Sequence, residues 1–328
     1  MSILRNFSMK IEKKIKFEQF LYFNLTDIKY DNTINNFKDD ILLRISKRYY
    51  QISNFPKEIA ITEGINILKN NYYKSFYRIY NKDDSNNLND DILLLHQDET
   101  KVGNLIAGSL KDVKLKNPKI SQLKLNKINE SINNYFYDRI NLGLLVGKYL
   151  ENCNKGDYNV ICTKLFPKDI INYTIDKINI IYSSNFNYFP NITIKDLSNK
   201  KIYHFPKYLD YIVYEILKNS IKSNITSGNN NIKITLLNKN DYIIIKISDK
   251  GIGIDPDEIG NIFNYSYTSS ENNFYTRRYI NSNKNLNGYG FGLSYSKTLI
   301  NFFEGDIKVI SRKNSGTDVY LYIKNIIY

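Results

Sequence analysis

The 328 residues are 42% hydrophobic and 14% aromatic, enough for two domains with real cores, which excludes a disordered, fibrous or peptide-sized chain. Lys+Arg 46 against Asp+Glu 33 gives a net charge of +13, but the lysines are spread among abundant Asn, Ile and Tyr, and nucleic-acid binding is not expected. The longest apolar run, residues 142–146, is far below the roughly 20 residues a spanning helix needs, so no membrane span is expected.

Through residue 157 the pattern is helical, with apolar residues three and four apart over 40–55, 57–81 and 126–151. Long helices with short connections predict an antiparallel bundle. The Asn-rich and acidic stretches 81–91 and 111–117 read as loops. Lys111, Lys114, Lys116, Lys119, Lys124 and Lys127 are the densest basic group, without interleaved aromatics for base stacking, and read as a solvated face. Cys153 and Cys162 have no second pair, and with only His96 and His204 elsewhere a zinc site is excluded; a reducing compartment fits.

The second half changes character. Residues 232–237 and 242–248 are two β-rich runs around the turn Asn238-Lys239-Asn240-Asp241, and 306–311 and 317–325 form a second strand pair. Residues 207–223, 255–263 and 292–303 read as helices, the second opened by Asp255-Pro256-Asp257-Glu258 and the third closed by Gly305. The expected architecture is an antiparallel helical bundle over 1–157, followed over 158–328 by an α/β sandwich with helices on one face of a mixed sheet.

Within 207–223, Leu209, Ile212, Val213, Ile216, Leu217 and Ile221 make an apolar face, opposite a polar stripe of Tyr211, Glu215, Asn219 and Lys222. A carboxylate, an amide and a cation on one stripe suit a base, a metal ligand and a phosphate contact; alone, such a stripe is an ordinary solvated face. Two glycine clusters supply the context. Asp249-Lys250-Gly251-Ile252-Gly253 follows a strand, where glycines admit a ligand and the aspartate can accept from an exocyclic amine. Gly288-Tyr289-Gly290-Phe291-Gly292-Leu293 runs into a helix whose first amides can cradle phosphates. Residues 264–287 between them are long enough for a lid, and Gly316-Thr317-Asp318 opens the last strand. No Gly-x4-Gly-Lys-Ser/Thr loop and no eukaryotic-type kinase catalytic loop is present.

This order of motifs resembles the ATP-binding fold shared by DNA gyrase, the heat-shock chaperone of about 90 kDa, histidine kinases and MutL. Within it, residues 209–219, 161–168 and 316–321 are similar to the mitochondrial kinases of 2-oxo acid dehydrogenase complexes, the branched-chain type above all. Phe17-Glu18-Gln19-Phe20-Leu21, His96-Gln97-Asp98 and Asp138-Arg139-Ile140-Asn141-Leu142 resemble that family's bundle domain.

The resemblance implies an ATP-dependent protein serine kinase that inhibits the decarboxylase subunit of such a complex in the mitochondrial matrix. It implies a homodimer that docks on a lipoyl domain through the bundle and uses ATP, Mg2+ and a potassium ion. It assigns Glu215 as general base and Asn219 as magnesium ligand, with Lys218, Lys222, Asp249, Gly251, Gly253, Thr268, Ser269, Gly288, Tyr289, Gly290, Phe291, Gly292, Leu293 and Thr317 around the nucleotide.

Three departures stand out. Tyr211 occupies the position one turn before Glu215 where pyruvate-type members carry a histidine. Lys222 replaces an arginine, losing its planar fork, and Gly143 stands where the bundle has a second arginine. The chain ends at Tyr328, so the long C-terminal arm of pyruvate-type kinases is not expected. The first sixteen residues, with Arg5, Lys10, Lys13, Lys14 and Lys16 against Glu12, are compatible with a short mitochondrial presequence. Two other readings compete: a nucleotide-gated clamp or silent scaffold, and a histidine kinase with His96 as phosphoacceptor. His96 lacks the usual downstream proline and is expected to be structural, His204 a loop contact and Cys162 core packing.

Overall fold

The structure, a computed structural model, describes residues 4–5, 9, 30–81, 85–153, 163–186, 189–265, 267 and 291–324. Its contacts divide the chain into two compact units, Met1–Val160 and Ile161–Tyr328.

The first unit is built from helices α1 (Tyr30–Ser53), α2 (Lys57–Ala60), α3 (Glu63–Tyr80), α4 (Ser85–Lys116) and α5 (Gln122–Asn152). Ile65, Leu68, Tyr72, Phe76 and Ile79 line the buried face of α3, and the Tyr72 and Tyr135 hydroxyls meet at 2.7 Å between α3 and α5. Two expectations fail here. The continuous helix over 57–81 is broken at Thr62, which takes extended backbone (φ −72°, ψ 153°) while its hydroxyl donates to the Ile59 carbonyl at 2.7 Å. The loops expected at 81–91 and 111–117 largely belong to α4. Leu88, Ile92, Leu95, Val102, Ile106, Leu110 and Val113 recur at helical spacing and are all buried, and this burial outweighs the weak helix preference of the intervening Asn and Asp.

The second unit contains β1 (Thr163–Leu165), α6 (Pro167–Phe186), β2 (Asn191–Asp196), β3 (Ile202–His204), α7 (Pro206–Ser227), β4 (Asn231–Lys239), β5 (Tyr242–Asp249), α8 (Gly292–Phe302), β6 (Asp306–Arg312) and β7 (Gly316–Lys324). β1 and β3 pair as a small antiparallel ribbon. The main sheet runs β2-β4-β5-β7-β6, parallel only at β2–β4, where the chain crosses over through α7. On β7, Val319, Leu321 and Ile323 are buried, while Tyr320 and Tyr322 alternate with them and lie beneath Lys246 and Lys308 on the opposite face. This period of two is that of a sheet with one face covered. The cover is α7, with α6 and α8 packed on it.

Residues 255–263 do not form the expected helix. Asp255 Oδ1 accepts from the Asp257 amide at 3.2 Å, as an N-cap would, but only a single 3₁₀ turn follows, Ile259–Asn261. Ile262 is the one well-buried aliphatic of the segment, too little packing to carry a helix past its unfavourable nucleation. At the end of α8 the left-handed residue is Glu304 (φ 59°) rather than Gly305, whose amide donates back to the Ile300 carbonyl at 2.8 Å. α6 has no counterpart among the predicted elements, although Ile171, Thr174, Ile178 and Tyr182 are buried at helical spacing. His204 is not a loop contact: it lies on β3, fully enclosed, with its ring edge-on to Phe303 at 5.0 Å. Burial drops its pKa to about 4, so it is neutral.

Candidate functional site

α7 is the backbone of the site. Pro206 occupies the first helical turn, where its missing N–H is no loss, and Gly228 ends the helix in the left-handed conformation, φ 73°. Leu209, Val213, Leu217 and Ile221 are fully buried against the sheet and fix the rotation of the helix. Thr174 and Lys177 of α6 each reach the Asp210 carboxylate at 2.8 Å and hold α6 on the flank of α7.

That rotation buries the carboxylate of Glu215, which is only 9% exposed. A merely solvated stripe would leave it in water. Lys218 Nζ, equally buried, lies 2.6 Å from it one turn along. Gly292, the first residue of α8, lies directly against Glu215: a Cβ at position 292 would overlap Glu215 Oε2. The carboxylate is thus held between an ammonium and the positive end of a helix dipole. Asn219, one turn further on, is exposed.

Three phenols surround this pair. Tyr211, whose ring meets Tyr295 of α8 edge-on at 5.4 Å, is held well above the usual tyrosine pKa by burial first and then by the Glu215 charge. Tyr214 is raised for the same two reasons, and Tyr182 of α6 by burial, Tyr214 and Glu215 in that order. All three remain protonated across the physiological range. Sequence reasoning finds only Tyr211; the signals it passes over are the adjacency of Tyr214 to Glu215 and the helical pattern that brings in Tyr182.

Lys222 is the second cation of the stripe. Burial, reinforced by the Lys218 charge and opposed by Glu215, lowers its pKa to about 8. An arginine would stay charged in the same place.

The other pole of the site is the end of β5. The buried Asp249 carboxylate accepts from the Gly251 amide at 3.0 Å and the Thr317 amide at 3.2 Å, while burial raises its pKa. Gly316 has φ 105°, and a side chain there would run into the Asp249 carbonyl. Thr317 Oγ1 pairs with Ser311 Oγ at 2.8 Å, and Ser311 Oγ accepts from the Ile254 amide at 2.9 Å. Asp249, Gly251, Gly253 and Thr317, from two separate motifs, therefore meet in one cluster.

Phe291 precedes α8 with its ring 4.8 Å from Tyr265, and Leu293 is partly exposed. Thr268, Ser269, Gly288, Tyr289 and Gly290, with residues 266 and 270–287 of the expected lid, lie outside the described residues.

A mixed sheet covered on one face, with a helix carrying Glu-x3-Asn beside an Asp-x-Gly-x-Gly turn and a glycine-led helix, defines an ATPase fold of the gyrase and histidine-kinase type. The family profile described as "Histidine kinase-, DNA gyrase B-, and HSP90-like ATPase" matches residues 205–326. The profile "Mitochondrial branched-chain alpha-ketoacid dehydrogenase kinase" matches residues 14–157.

Among curated relatives, pyruvate dehydrogenase (acetyl-transferring) kinase 1, mitochondrial, of Saccharomyces cerevisiae is 28% identical over 98% of this chain and 86% of its own. The corresponding mitochondrial kinase of Arabidopsis thaliana is 22% identical over 88% of this chain and 83% of its own. Isozyme 4 of Homo sapiens is 32% identical over 38% of this chain and 30% of its own. The first half of the chain is thus similar to a mitochondrial dehydrogenase kinase and the second to the shared ATPase fold, and these three relatives are all named as pyruvate dehydrogenase kinases.

The ion pair makes a direct prediction. Lys218→Met strands the Glu215 carboxylate in a buried site and is expected to lower unfolding stability by about 3 kcal/mol. Adding Glu215→Gln should recover much of that loss, and urea denaturation of the single and double variants reads both. Equal stability of Lys218→Met and the unaltered protein would mean that the pair is not buried as described.

Proposed function

We propose that the protein is an ATP-dependent serine kinase that phosphorylates, and so inhibits, the decarboxylase subunit of a 2-oxo acid dehydrogenase complex in the mitochondrial matrix. The observation that carries this reading is the buried Glu215–Lys218 pair against the first residue of α8. The mitochondrial kinase names of the relatives support the substrate class and the organelle.

Phosphoryl transfer asks a protein mainly to position groups and to neutralise charge. Glu215, acting as general base, takes the proton of the acceptor serine, while Lys218 and the surrounding phenols keep its carboxylate oriented. Asn219, exposed one turn away, would hold magnesium through its side-chain oxygen, the kind of donor that hard cation takes. Bound magnesium and ATP supply the phosphoryl group and neutralise its charge. Asp249 accepts from the adenine amine with Thr317 beside it. Gly251 and Gly253 let the base approach, and Gly288 through Leu293 with Lys222 face the phosphates. Thr268 and Ser269 are assigned to nucleotide contact, and a potassium ion belongs to the same proposal.

The helical domain, residues 1–157 by sequence, docks on the lipoyl domain of the complex, and the ATP-binding domain, 158–328, pairs in a homodimer. A histidine kinase is not favoured, because the relatives are named as dehydrogenase kinases.

Incubation with labelled ATP, magnesium and pyruvate or branched-chain dehydrogenase complex, followed by location of the phosphate, tests the reading; acid-stable phosphoserine on the decarboxylase subunit is expected. Glu215→Gln should lower turnover by about 10²–10⁴-fold with nucleotide binding retained. Asn219→Ala should weaken both. A fully active Glu215→Gln protein would remove Glu215 from the role of base, and nucleotide binding without any phosphate transfer to the complex would leave a scaffold.

Lys222 adds a pH dependence. Its charge is present below pH 8 and is lost as pH rises through about 8, so affinity for ATP should fall above that point. Lys222→Arg should flatten the profile, since guanidinium does not titrate there. Nucleotide titrations across this range check it, and a flat profile in the unaltered protein would exclude Lys222 from the phosphate site.

A further inference from the structure

One end of the helical unit, where α4 turns into α5, is at once apolar and cationic. The connection is five residues long, 117–121, and Ser121 caps α5 by accepting from the Lys124 amide at 3.4 Å. Leu115 in the last turn of α4 and Leu123 in the first turn of α5 are each 67% exposed, and Ile61, just after α2, is 68% exposed. Lys124 Nζ reaches Glu58 Oε1 at 2.6 Å, which brings α2 and the residues after it to the same end. Lys111 precedes Leu115 by four residues and Lys127 follows Leu123 by four, so each leucine has an exposed lysine one helical turn behind it on its own face. Lys116 and Lys119 flank the connection, both exposed.

Single exposed aliphatic side chains are ordinary on a protein surface. Three on adjoining turns, ringed by cations, are the pattern of a surface that enters a lipid interface, with apolar tips leading and long cationic side chains reaching back to the headgroups. We propose that this end of the helical unit seats on an anionic phospholipid surface, with Ile61, Leu115 and Leu123 at the acyl boundary and the lysines at headgroup phosphates.

The chemistry favours lipid over the other anionic partners. Every cation of residues 111–127 is a lysine, a point charge suited to mobile headgroups, whereas a fixed carboxylate pattern on a protein is matched best by the arginine fork. The same stretch has no aromatic residue on which a nucleic-acid base can stack. The leucines protrude rather than line a groove, which a fluid surface accommodates.

Cosedimentation of the full-length protein with phosphatidylcholine vesicles, with and without cardiolipin, tests this. Binding is expected only where cardiolipin is present, and should weaken with added salt, which screens charges beyond about 8 Å at physiological strength. The double change Leu115→Ser with Leu123→Ser should reduce binding about tenfold through the apolar area withdrawn from lipid. Lys116→Glu with Lys119→Glu should abolish it. All four side chains are exposed, so melting temperature should not change. Equal binding to both vesicle types, binding to neither, or indifference to both double variants overturns the proposal. If the charge reversal weakens association with an acidic protein while vesicle binding is absent, this end is a protein-docking surface and the lipid reading falls.

Discussion

The site depends on one costly arrangement, a carboxylate and an ammonium removed together from water at 2.6 Å. Burying two charges costs several kcal/mol per ion, and their attraction offsets this only when the geometry is tight and the surroundings are polar. Here the surroundings are the start of α8 and the Tyr214 ring, which lies 5.4 Å from the Lys218 ammonium, with Tyr182 and Tyr211 near enough to feel the Glu215 charge. The close approach requires that residue 292 have no side chain, because the Glu215 carboxylate fills the space a Cβ would take. Moving α7 away from α8 by the width of a methyl group would leave the pair, whose two members both lie on α7, in place but open its carboxylate to water. The apolar anchors of α7, and Asp210 held by Thr174 and Lys177, prevent that movement.

The far pole, around Asp249, follows different physics. Among the described residues no cation pairs with its carboxylate; backbone amides of two separate turns point at it, and the left-handed Gly316 allows one of those turns to come close. Ser311 and Thr317 complete a short network of hydroxyls behind it. A cluster satisfied mainly by main chain is rigid and reads shape, whereas the Glu215 end is satisfied by side chains that can shift as charge moves. The two ends suit a fixed base-recognition pocket and a reactive phosphate end.

What the sequence reveals of this follows from how local each signal is. The β4–β5 hairpin and the β6–β7 pair are legible because alternation and turn residues lie within a few positions, and the same holds for α7. α4 is misread because Asn and Asp suggest loops, while its heptad-like Leu88, Ile92, Leu95 and Val102 take their meaning from the helices they pack on. The reverse error occurs at 255–263, where a good N-cap is not followed by enough apolar surface. In the site, the motif residues Glu215, Asp249 and Thr317 are visible one by one. That Glu215 is buried is not, because a period of four in polar residues looks the same whether the face meets solvent or another helix. Tyr182 belongs to another helix, and its one local mark is its place in the helical pattern of Ile171, Thr174 and Ile178.

The most direct test of this account is the turnover of Gly292→Ala with saturating magnesium-ATP and a dehydrogenase complex. The added methyl overlaps the Glu215 carboxylate, the flexible end of its side chain, so the carboxylate is expected to give way and turnover to fall by about two orders of magnitude, the scale of losing a general base. The melting curve should confirm that the domain is still folded. A folded Gly292→Ala protein with undiminished turnover would contradict the claim that the reaction depends on the carboxylate held at that position.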